Sequence, residues 1–161
     1  PTCQCPHHNQ DRRDMQQYWI AYCEFSALKY ILNIQGTGET KDFTNYTDVP
    51  WGSNDNDYRI IISKLIIEEG ITSLGNKLFN NLDKITEITL PSTIKKIGER
   101  AFYGCDRVTG EVVIPKAVTS IGLNPFLITP ITSITVESGN TAFKSVNGVL
   151  YNANNTLFSF A

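Results

Sequence analysis

The middle of the chain repeats one arrangement of apolar and polar positions in three successive segments, residues 65–87, 88–111 and 112–133. Five columns keep their residue type, at spacings of 23 and then 24 residues. The columns are Ile67, Leu90 and Ile114; Ile71, Ile94 and Val118; Leu74, Ile97 and Ile121; Gly75, Gly98 and Gly122; and Phe79, Phe102 and Phe126. A fixed period of this length predicts a repeat protein whose units stack, because one unit cannot bury its own apolar face.

Each copy begins with a short segment in which apolar residues alternate, as in Leu65 and Ile67 or Ile88 and Leu90. Alternation at period two predicts a half-buried strand, and coils of equal length place such strands side by side and parallel. We therefore predict a mostly β fold with short helices or 3-10 turns, built as a right-handed solenoid of about four coils. A row of amphipathic helices is the alternative, which the Ile, Thr, Gly and Pro content disfavours.

The remaining columns predict how one coil meets the next. A second apolar pair, such as Ile94 and Ile97, brings the chain back across another face. The glycine that follows this pair is expected to adopt a positive φ in a tight turn. The phenylalanine column is expected to stack along the middle of the coils, where its rings bury a large apolar area.

The two ends of the chain depart from the repeat. Tyr18, Trp19, Tyr22 and Phe25 recur at a helical period, which predicts an amphipathic helix over residues 12–27 that caps the first coil; a partner-binding helix is the alternative. Residues 146–149, with the sequence Val-Asn-Gly-Val, predict a two-residue hairpin. The last residues, 157–161, are an apolar strand whose edge we expect to be covered by further coils or by a second copy.

These features divide the chain into three parts. Residues 1–59 form an N-terminal cap region, with a tail that carries cysteines, the predicted helix and edge strands. Residues 60–136 hold the repeats, and residues 137–161 form a variant C-terminal unit with the hairpin.

Residues 93–115, TIKKIGERAFYGCDRVTGEVVIP, resemble the BspA-like, treponemal-type leucine-rich repeat. The residues that match its pattern are Ile97, Gly98, Ala101, Phe102, Gly104 and Cys105. The first copy has Leu82 in place of the cysteine, and the third copy has no cysteine. Residues 28–51 and 143–157 also look like the strand-rich segment before such repeats and the hairpin unit that interrupts them.

The resemblance implies a surface or secreted protein, since members of this family are typical of the surfaces of bacteria and parasitic protists and some act in adhesion. It implies a non-enzymatic module that binds a host cell-surface or matrix protein, or a glycan. The alternative is a structural scaffold that spaces other domains or self-associates, for example as a homo-oligomer through the C-terminal edge.

The outward-facing residues of the predicted strands form the candidate partner-binding face. Residues that lie between core positions point away from the core. This places two columns on the face: Lys64, Glu87, Glu111 and Ser133, and next to it Ile66, Thr89, Val113 and Thr135. A regular surface of this kind suits a protein or a glycan. A solvated sheet face without a ligand is the alternative.

The composition narrows the function. The 161 residues are 41% hydrophobic and 19% charged, which supports a folded core, and the net charge of −2 argues against nucleic acid as a partner. The apolar runs are too short to span a membrane. Both histidines lie near the N-terminus, and the repeats contain neither an acid–base pair nor a nucleophile–base pair. We therefore expect no enzyme activity and no cofactor.

The N-terminal tail has residues that could bind a metal, namely Cys3, Cys5, His7 and His8. Their spacing lacks the two separated pairs of a zinc site, so no metal is expected. A disulfide between Cys23 and either Cys3 or Cys5 would fix the tail in an oxidising compartment.

Three further features resemble functional motifs but are predicted to be structural. Asp55 and Asp57 lack the downstream glycine and glutamate of a calcium loop. Gly36-Thr37-Gly38 lacks the Lys-Ser/Thr of a phosphate loop and is interpreted as a turn. Cys105 is expected to be a buried structural thiol.

Two N-x-Thr sequons, at Asn45 and Asn154, make the chain a possible glycoprotein if it is secreted from a eukaryotic cell.

Overall fold

The fold is described by a computed structural model that covers residues 2–3, 19–26, 29–53 and 56–159. Strands dominate this part of the chain, which has a single 3-10 turn at Tyr58–Ile60 and no α-helix. The strands are β1 (Thr2–Cys3), β2 (Trp19–Ser26), β3 (Lys29–Gly36), β4 (Gly38–Glu39), β5 (Gly52–Ser53), β6 (Asn56–Asp57), β7 (Lys64–Ile67), β8 (Ile71–Leu74), β9 (Lys96–Ile97), β10 (Gly110–Ile114), β11 (Ser120–Ile121), β12 (Ile131–Val136), β13 (Phe143–Val146), β14 (Val149–Asn152) and β15 (Leu157–Ser159).

One row of parallel strands follows the chain coil by coil. β8 pairs with β4 on one side and β9 on the other, and β9 pairs with β11, all in parallel. The strands of this row come from successive coils, and β8, β9 and β11 contain Leu74, Ile97 and Ile121, the last residues of the second apolar pairs. The prediction that successive coils stack through parallel strands is confirmed here, while the right-handed sense and the number of coils stay predictions.

The other row of strands, which carries the candidate face, comes in two pieces. β3 pairs with β7 in parallel, and β10 pairs with β12 in parallel. The segment between these pairs, residues 88–90, lies within the described chain but is not a strand. The strand predicted from Ile88 and Leu90 is therefore wrong, although Ile88 is buried and Leu90 packs against the core as its alternation requires.

Four aromatic rings run through the interior, one from each level of the stack. Trp51 lies 6.0 Å from Phe79, Phe79 lies 5.2 Å from Phe102, and Phe102 lies 5.7 Å from Phe126, measured between ring centroids. All four side chains are buried. The predicted phenylalanine column is confirmed, and Trp51 extends it to the N-terminal cap, since its ring stacks on that of Phe79.

Glycine is required in this column for a reason other than the predicted one. Gly75, Gly98 and Gly122 do not have positive φ values. Instead, a Cβ atom added at Gly98 would lie 2.5 Å from the carbonyl carbon of Gly75, and one at Gly122 would clash with the backbone nitrogen of Glu99. The coils approach so closely at this column that no side chain fits, and the expectation of a tight turn with positive φ is wrong.

The N-terminal helix predicted for residues 12–27 is also wrong where the structure can test it. Trp19–Ser26 is strand β2, which pairs antiparallel with the whole of β3, from Trp19 opposite Gly36 to Ser26 opposite Lys29. Residues 12–18 and 27 lie outside the described residues. Aromatic and β-branched residues favour a strand where an edge is available to pair with, and β3 provides that edge. The cap thus exists as added strands.

The C-terminal hairpin is confirmed. Val146 pairs with Val149, and the two residues between them, Asn147 and Gly148, both have positive φ values, 52° and 80°. This is the geometry that a two-residue hairpin turn favours. β15 then pairs antiparallel with β14. The hairpin also contacts β12, where the N–H of Ile134 donates to the carbonyl of Gly148 at 2.8 Å.

Candidate functional site

The candidate face is best formed on β10 and β12. In this parallel pair, Glu111 lies opposite Ser133, and Val113 lies opposite Thr135. The residues between them, Val112 and Ile134, point inward and are fully buried. The alternation of the sequence thus places two rows of adjacent side chains on the outer surface. Val113 is 43% exposed, as alternation along a strand requires of a residue between the buried Val112 and Ile114.

On β7 the predicted face residues have other neighbours. Lys64 lies opposite Ile31 of β3, and Ile66 lies opposite Asn33. Lys64 is exposed and Ile66 is half-buried. β3 adjoins this part of the face, but its Asn33 is buried and donates from Nδ2 to the carboxylate of Glu68 at 2.8 Å. Sequence reasoning missed Asn33, which alternation along the strand turns away from Leu32 and Ile34.

A groove lies between β7 and the segment that precedes residues 88–90. It is lined by Ser63, Lys64, Leu65, Lys84, Ile85, Thr86 and Glu87. Lys64 and Glu87, two members of the predicted first column, thus line the same groove. Glu87 and Thr89 are exposed but lie on the irregular second segment, so the columns are not one continuous ladder. The groove brings two lysines and a glutamate together on the surface, beside a mildly apolar strand face.

The C-terminal hairpin borders the face on the side of β12. The N–H of Val136 donates to the hydroxyl of Ser145 at 3.1 Å. A Cβ atom at Gly148 would lie 3.0 Å from the Cβ of Ser133, so the hairpin turn comes close to the first column of the face. The hairpin therefore half-buries Ser133, whereas Glu111, at the equivalent position of the preceding copy, is exposed.

Carboxylates hold the loops that follow the strands. Glu69 accepts the N–H groups of Ser92 and Thr93, at 2.9 and 3.2 Å, and the hydroxyl of Ser92 at 3.0 Å. The N–H of Ser92, followed by the smaller effect of the other donors, keeps the pKa of Glu69 below its usual value. Glu137 accepts the N–H of Lys116 at 2.8 Å in the same way. These bonds connect neighbouring coils and order the rim of the face.

The other residues that could carry chemistry have structural partners or lie outside the described chain. Arg59 donates from Nε to the Asp57 carboxylate at 2.7 Å, and this hydrogen bond lowers the pKa of Asp57. Asp55 lies outside the described residues. Within the described chain, no group of three or more His, Cys, Asp or Glu side chains is placed to hold a metal ion.

The cysteines separate into a buried one and an N-terminal set. The Cys105 thiol donates to the carbonyl of Phe79 at 3.3 Å, and burial raises the pKa of Cys105 to about 12. At the N-terminus, the register of β1 and β2 places Cys3 directly opposite Cys23. Cα atoms in such a pair are roughly 4.5–5.5 Å apart, which suits a disulfide. The register favours Cys3 over Cys5, and the disulfide stays a prediction that non-reducing peptide mapping by mass spectrometry can check.

Cys5, His7 and His8 lie outside the described residues, so the structure does not test the N-terminal metal-type cluster. Both sequon asparagines, Asn45 and Asn154, are on exposed turns. Asn45 donates from Nδ2 to the Asp48 carboxylate at 3.1 Å. Glycosylation at these two positions stays a prediction. Among the described residues there is also no helix of the length and hydropathy that crossing a membrane requires.

The comparisons with known proteins agree on the repeat. The family model described as "BspA type Leucine rich repeat region (6 copies)" matches residues 57–156, which is more than half of the chain. A search of curated proteins finds no match.

Two solved structures share the fold. One is a leucine-rich repeat protein from Eubacterium ventriosum ATCC 27560, at 26% identity and a TM-score of 0.52; the match covers 89% of this chain and 49% of that chain. The other is a leucine rich cell surface protein from Faecalibacterium prausnitzii A2-165, at 15% identity and a TM-score of 0.53, covering 87% of this chain and 59% of that chain. This chain spans less than two thirds of the length of both proteins.

Proposed function

Because the chain belongs to the BspA-type leucine-rich repeat family, we propose that it is a non-enzymatic module, exposed on a cell surface or secreted, that binds another protein or a glycan through its outer strand face. Proteins built from leucine-rich repeats generally bind other proteins, and the family is generally non-enzymatic. The similar structure from Faecalibacterium is described as a cell surface protein, which agrees with the proposed location.

The observation that carries the proposal is the side-by-side placement of Glu111 with Ser133 and of Val113 with Thr135. Two neighbouring rows offer a carboxylate, hydroxyls and an exposed aliphatic group at a regular spacing. Such a surface makes many small contacts, so its affinity comes from the sum of them and from exclusion of water at the centre. Val113 is the apolar centre of this arrangement, and Glu87 and Glu111 are the charges beside it.

The proposal is tested by the triple variant Glu87→Gln, Glu111→Gln and Val113→Thr. These changes remove two charges and one apolar group while keeping side-chain size and β-branching, so the fold should be unaffected. A matched control changes the same residue types outside the two columns of the face: Glu39→Gln, Glu99→Gln and Val146→Thr. The probes are immobilised fibronectin, laminin and collagen, together with a glycan array.

We expect the unmodified chain to bind at least one of these probes, and the face variant to bind it more weakly by about tenfold or more, which is roughly 1.4 kcal/mol. The control triple should bind like the unmodified chain, and all three proteins should have the same melting temperature. Equal binding by the face variant would overturn the proposed site. A chain that binds none of the probes but self-associates would support the scaffold instead.

A further inference from the structure

The turn of the C-terminal hairpin places an asparagine side chain beside an unshielded backbone nitrogen. Asn147 is the only asparagine of the chain that glycine follows, and it lies exposed in the turn. Both turn residues have positive φ values, 52° at Asn147 and 80° at Gly148, which is why this pair suits a two-residue hairpin. Because Gly148 has no side chain, nothing crowds its nitrogen on the side of Asn147.

Neither of these two groups is held by a hydrogen bond within the described part of the chain. The amide side chain of Asn147 has no partner there, and the N–H of Gly148 donates to no acceptor. The carbonyl of Gly148, by contrast, accepts the N–H of Ile134 at 2.8 Å. The nitrogen of Gly148 can therefore approach Cγ of Asn147 with no hydrogen bond of its own to break.

The other exposed asparagines lack this combination. Asn45 is held by Asp48, to which its Nδ2 donates at 3.1 Å. Asn155 is the best match, since it is exposed and has a φ of 63°, but the N–H of the residue after it, Thr156, donates to Oδ1 of Asn152 at 2.9 Å. The branched side chain of Thr156 also crowds that nitrogen. Asn155 therefore serves as an internal control for Asn147.

We propose that Asn147 is a site of spontaneous deamidation, with water as the only reagent. The nitrogen of Gly148 loses its proton and bonds to Cγ of Asn147, and the side-chain nitrogen leaves as ammonia, which closes a succinimide ring. Water then opens the ring at one of its two carbonyls. If the bond to Cγ breaks, the product is aspartate. If the original peptide bond breaks, the product is isoaspartate, whose backbone runs through Cβ and Cγ.

The two products affect the hairpin differently. Both replace a neutral amide with a carboxylate and make the net charge of −2 more negative. Aspartate suits the first position of this turn, so this product keeps the hairpin. Isoaspartate adds an atom to the backbone between Val146 and Val149, and the length of the turn fixes the register of a hairpin. This product therefore loses the pairing of Val146 with Val149 and the hydrogen bond from Ile134 to Gly148.

The modification matters for the candidate face because the turn lies against it. A Cβ atom at Gly148 would lie 3.0 Å from the Cβ of Ser133, which the hairpin half-buries. Release of the turn uncovers Ser133, so isoaspartate formation changes the rim of the face irreversibly as the protein ages. The modification itself does not depend on the proposed binding function.

The first test follows the intact chain by mass spectrometry during incubation at about pH 8.5 and about 37 °C. Fragmentation of the tryptic peptide of residues 145–161, which contains both asparagines, locates the change, and a sample taken at time zero corrects for changes during digestion. We expect a gain of about 1 Da at Asn147, at least about tenfold faster than at Asn155.

The matched variant for this test is Asn147→Gly, because a Gly-Gly turn also suits the hairpin. It should keep the melting temperature of the unmodified chain and gain no mass at the turn. An Asn147 that stays unchanged, or an Asn155 that changes at the same rate, would overturn the proposed site.

The second test examines the products, which are separated by chromatography and measured by amide hydrogen exchange with NMR detection. The amide of Ile134 should exchange at least about tenfold faster in the isoaspartyl product than in the unaged chain, because its acceptor has moved away. In the variant Asn147→Asp it should be protected as in the unaged chain. Unchanged protection in the isoaspartyl product would overturn the release of the hairpin. Lost protection in Asn147→Asp would overturn it too, since the charge and not the backbone would then be the cause.

Discussion

At the scale of single residues, one column of the repeat forms hydrogen bonds between coils with its side chains. The Cys105 thiol donates to the carbonyl of Phe79, and the equivalent residue of the next copy, Thr129, donates from its hydroxyl to the carbonyl of Phe102 at 2.9 Å. The third copy lost the cysteine but kept a donor. The sequence predicted that Cys105 is buried, but it could not predict this bond, because the acceptor lies 26 residues away on another coil.

The pKa of Cys105 makes stability depend on alkaline pH. Burial raises it to about 12 from an ordinary value of 9.0. Between these two values the unfolded chain releases the thiol proton and the folded chain keeps it, so the stability contribution is complete below pH 9 and falls as pH rises. The slope for one such group approaches about 1.4 kcal/mol per pH unit.

The check compares the free energy of unfolding of the unmodified chain with that of Cys105→Thr, which keeps a donor and does not titrate. Urea denaturation is measured at about pH 8 and about pH 10.5. We expect the unmodified chain to lose about 1–2 kcal/mol relative to the variant over this interval. The tyrosines and lysines are common to both proteins, so their titration cancels. A difference that stays constant with pH would contradict the burial of the thiol.

At the scale of elements, the spacing between coils explains the glycine column. The repeat pattern identified Gly75, Gly98 and Gly122 as equivalent, but residue type alone does not distinguish a positive φ from a close approach. The distance between adjacent coils decides this, and it exists only once the coils are stacked. A Cβ atom at Gly98 would meet two backbone atoms of the preceding coil at 2.5 and 2.6 Å.

Gly98→Ala should therefore destabilise the chain by about 3 kcal/mol or more, since backbone atoms cannot move aside as a flexible side chain can. The control is Gly139→Ala, where there is open space around the added Cβ and the cost is that of a positive φ, about 1–2 kcal/mol. Urea denaturation monitored by circular dichroism measures both. If Gly98→Ala costs no more than Gly139→Ala, the coils do not approach as closely as described.

Local patterns were less reliable where an element has a partner far away in sequence. Trp19, Tyr22 and Phe25 fit a helical period, yet the segment is a strand because β3 offers an edge along its whole length. Residues 88–90 show a different error. Their alternation correctly predicted that Ile88 is buried, but the backbone there does not pair as a strand. The hairpin at Asn147 and Gly148 was predictable because its turn geometry depends on those two residues alone.

At the scale of the whole molecule, the sequence predicted the axis of the stack but not how it ends. Phe79, Phe102 and Phe126 could be aligned because they recur at a fixed spacing. Trp51 completes the column outside the repeat, at a position that no periodicity identifies. The packing of the cap on the repeats therefore required the structure, whereas the periodic interior of the stack can be read from the sequence.

A stack held by contacts between neighbours predicts that an interior ring matters more than a terminal one. Phe102 contacts two rings, at 5.2 and 5.7 Å, whereas Phe126 contacts one. Phe102→Ala should cost about 3–5 kcal/mol. Phe126→Ala should cost less, by about 0.5–1.5 kcal/mol for the ring pair that it does not break.

The two variants should also differ in how they unfold. Removing Phe102 separates the cap and first coil from the third coil, so its urea transition should broaden, with a lower m-value, while that of Phe126→Ala should keep the slope of the unmodified chain. Urea titrations followed by both tryptophan fluorescence and circular dichroism distinguish the two cases, because Trp51 reports on the capped end of the column. Equal costs and equal slopes for the two variants would mean that the aromatic column does not couple the coils, and that the aliphatic columns alone hold the stack together.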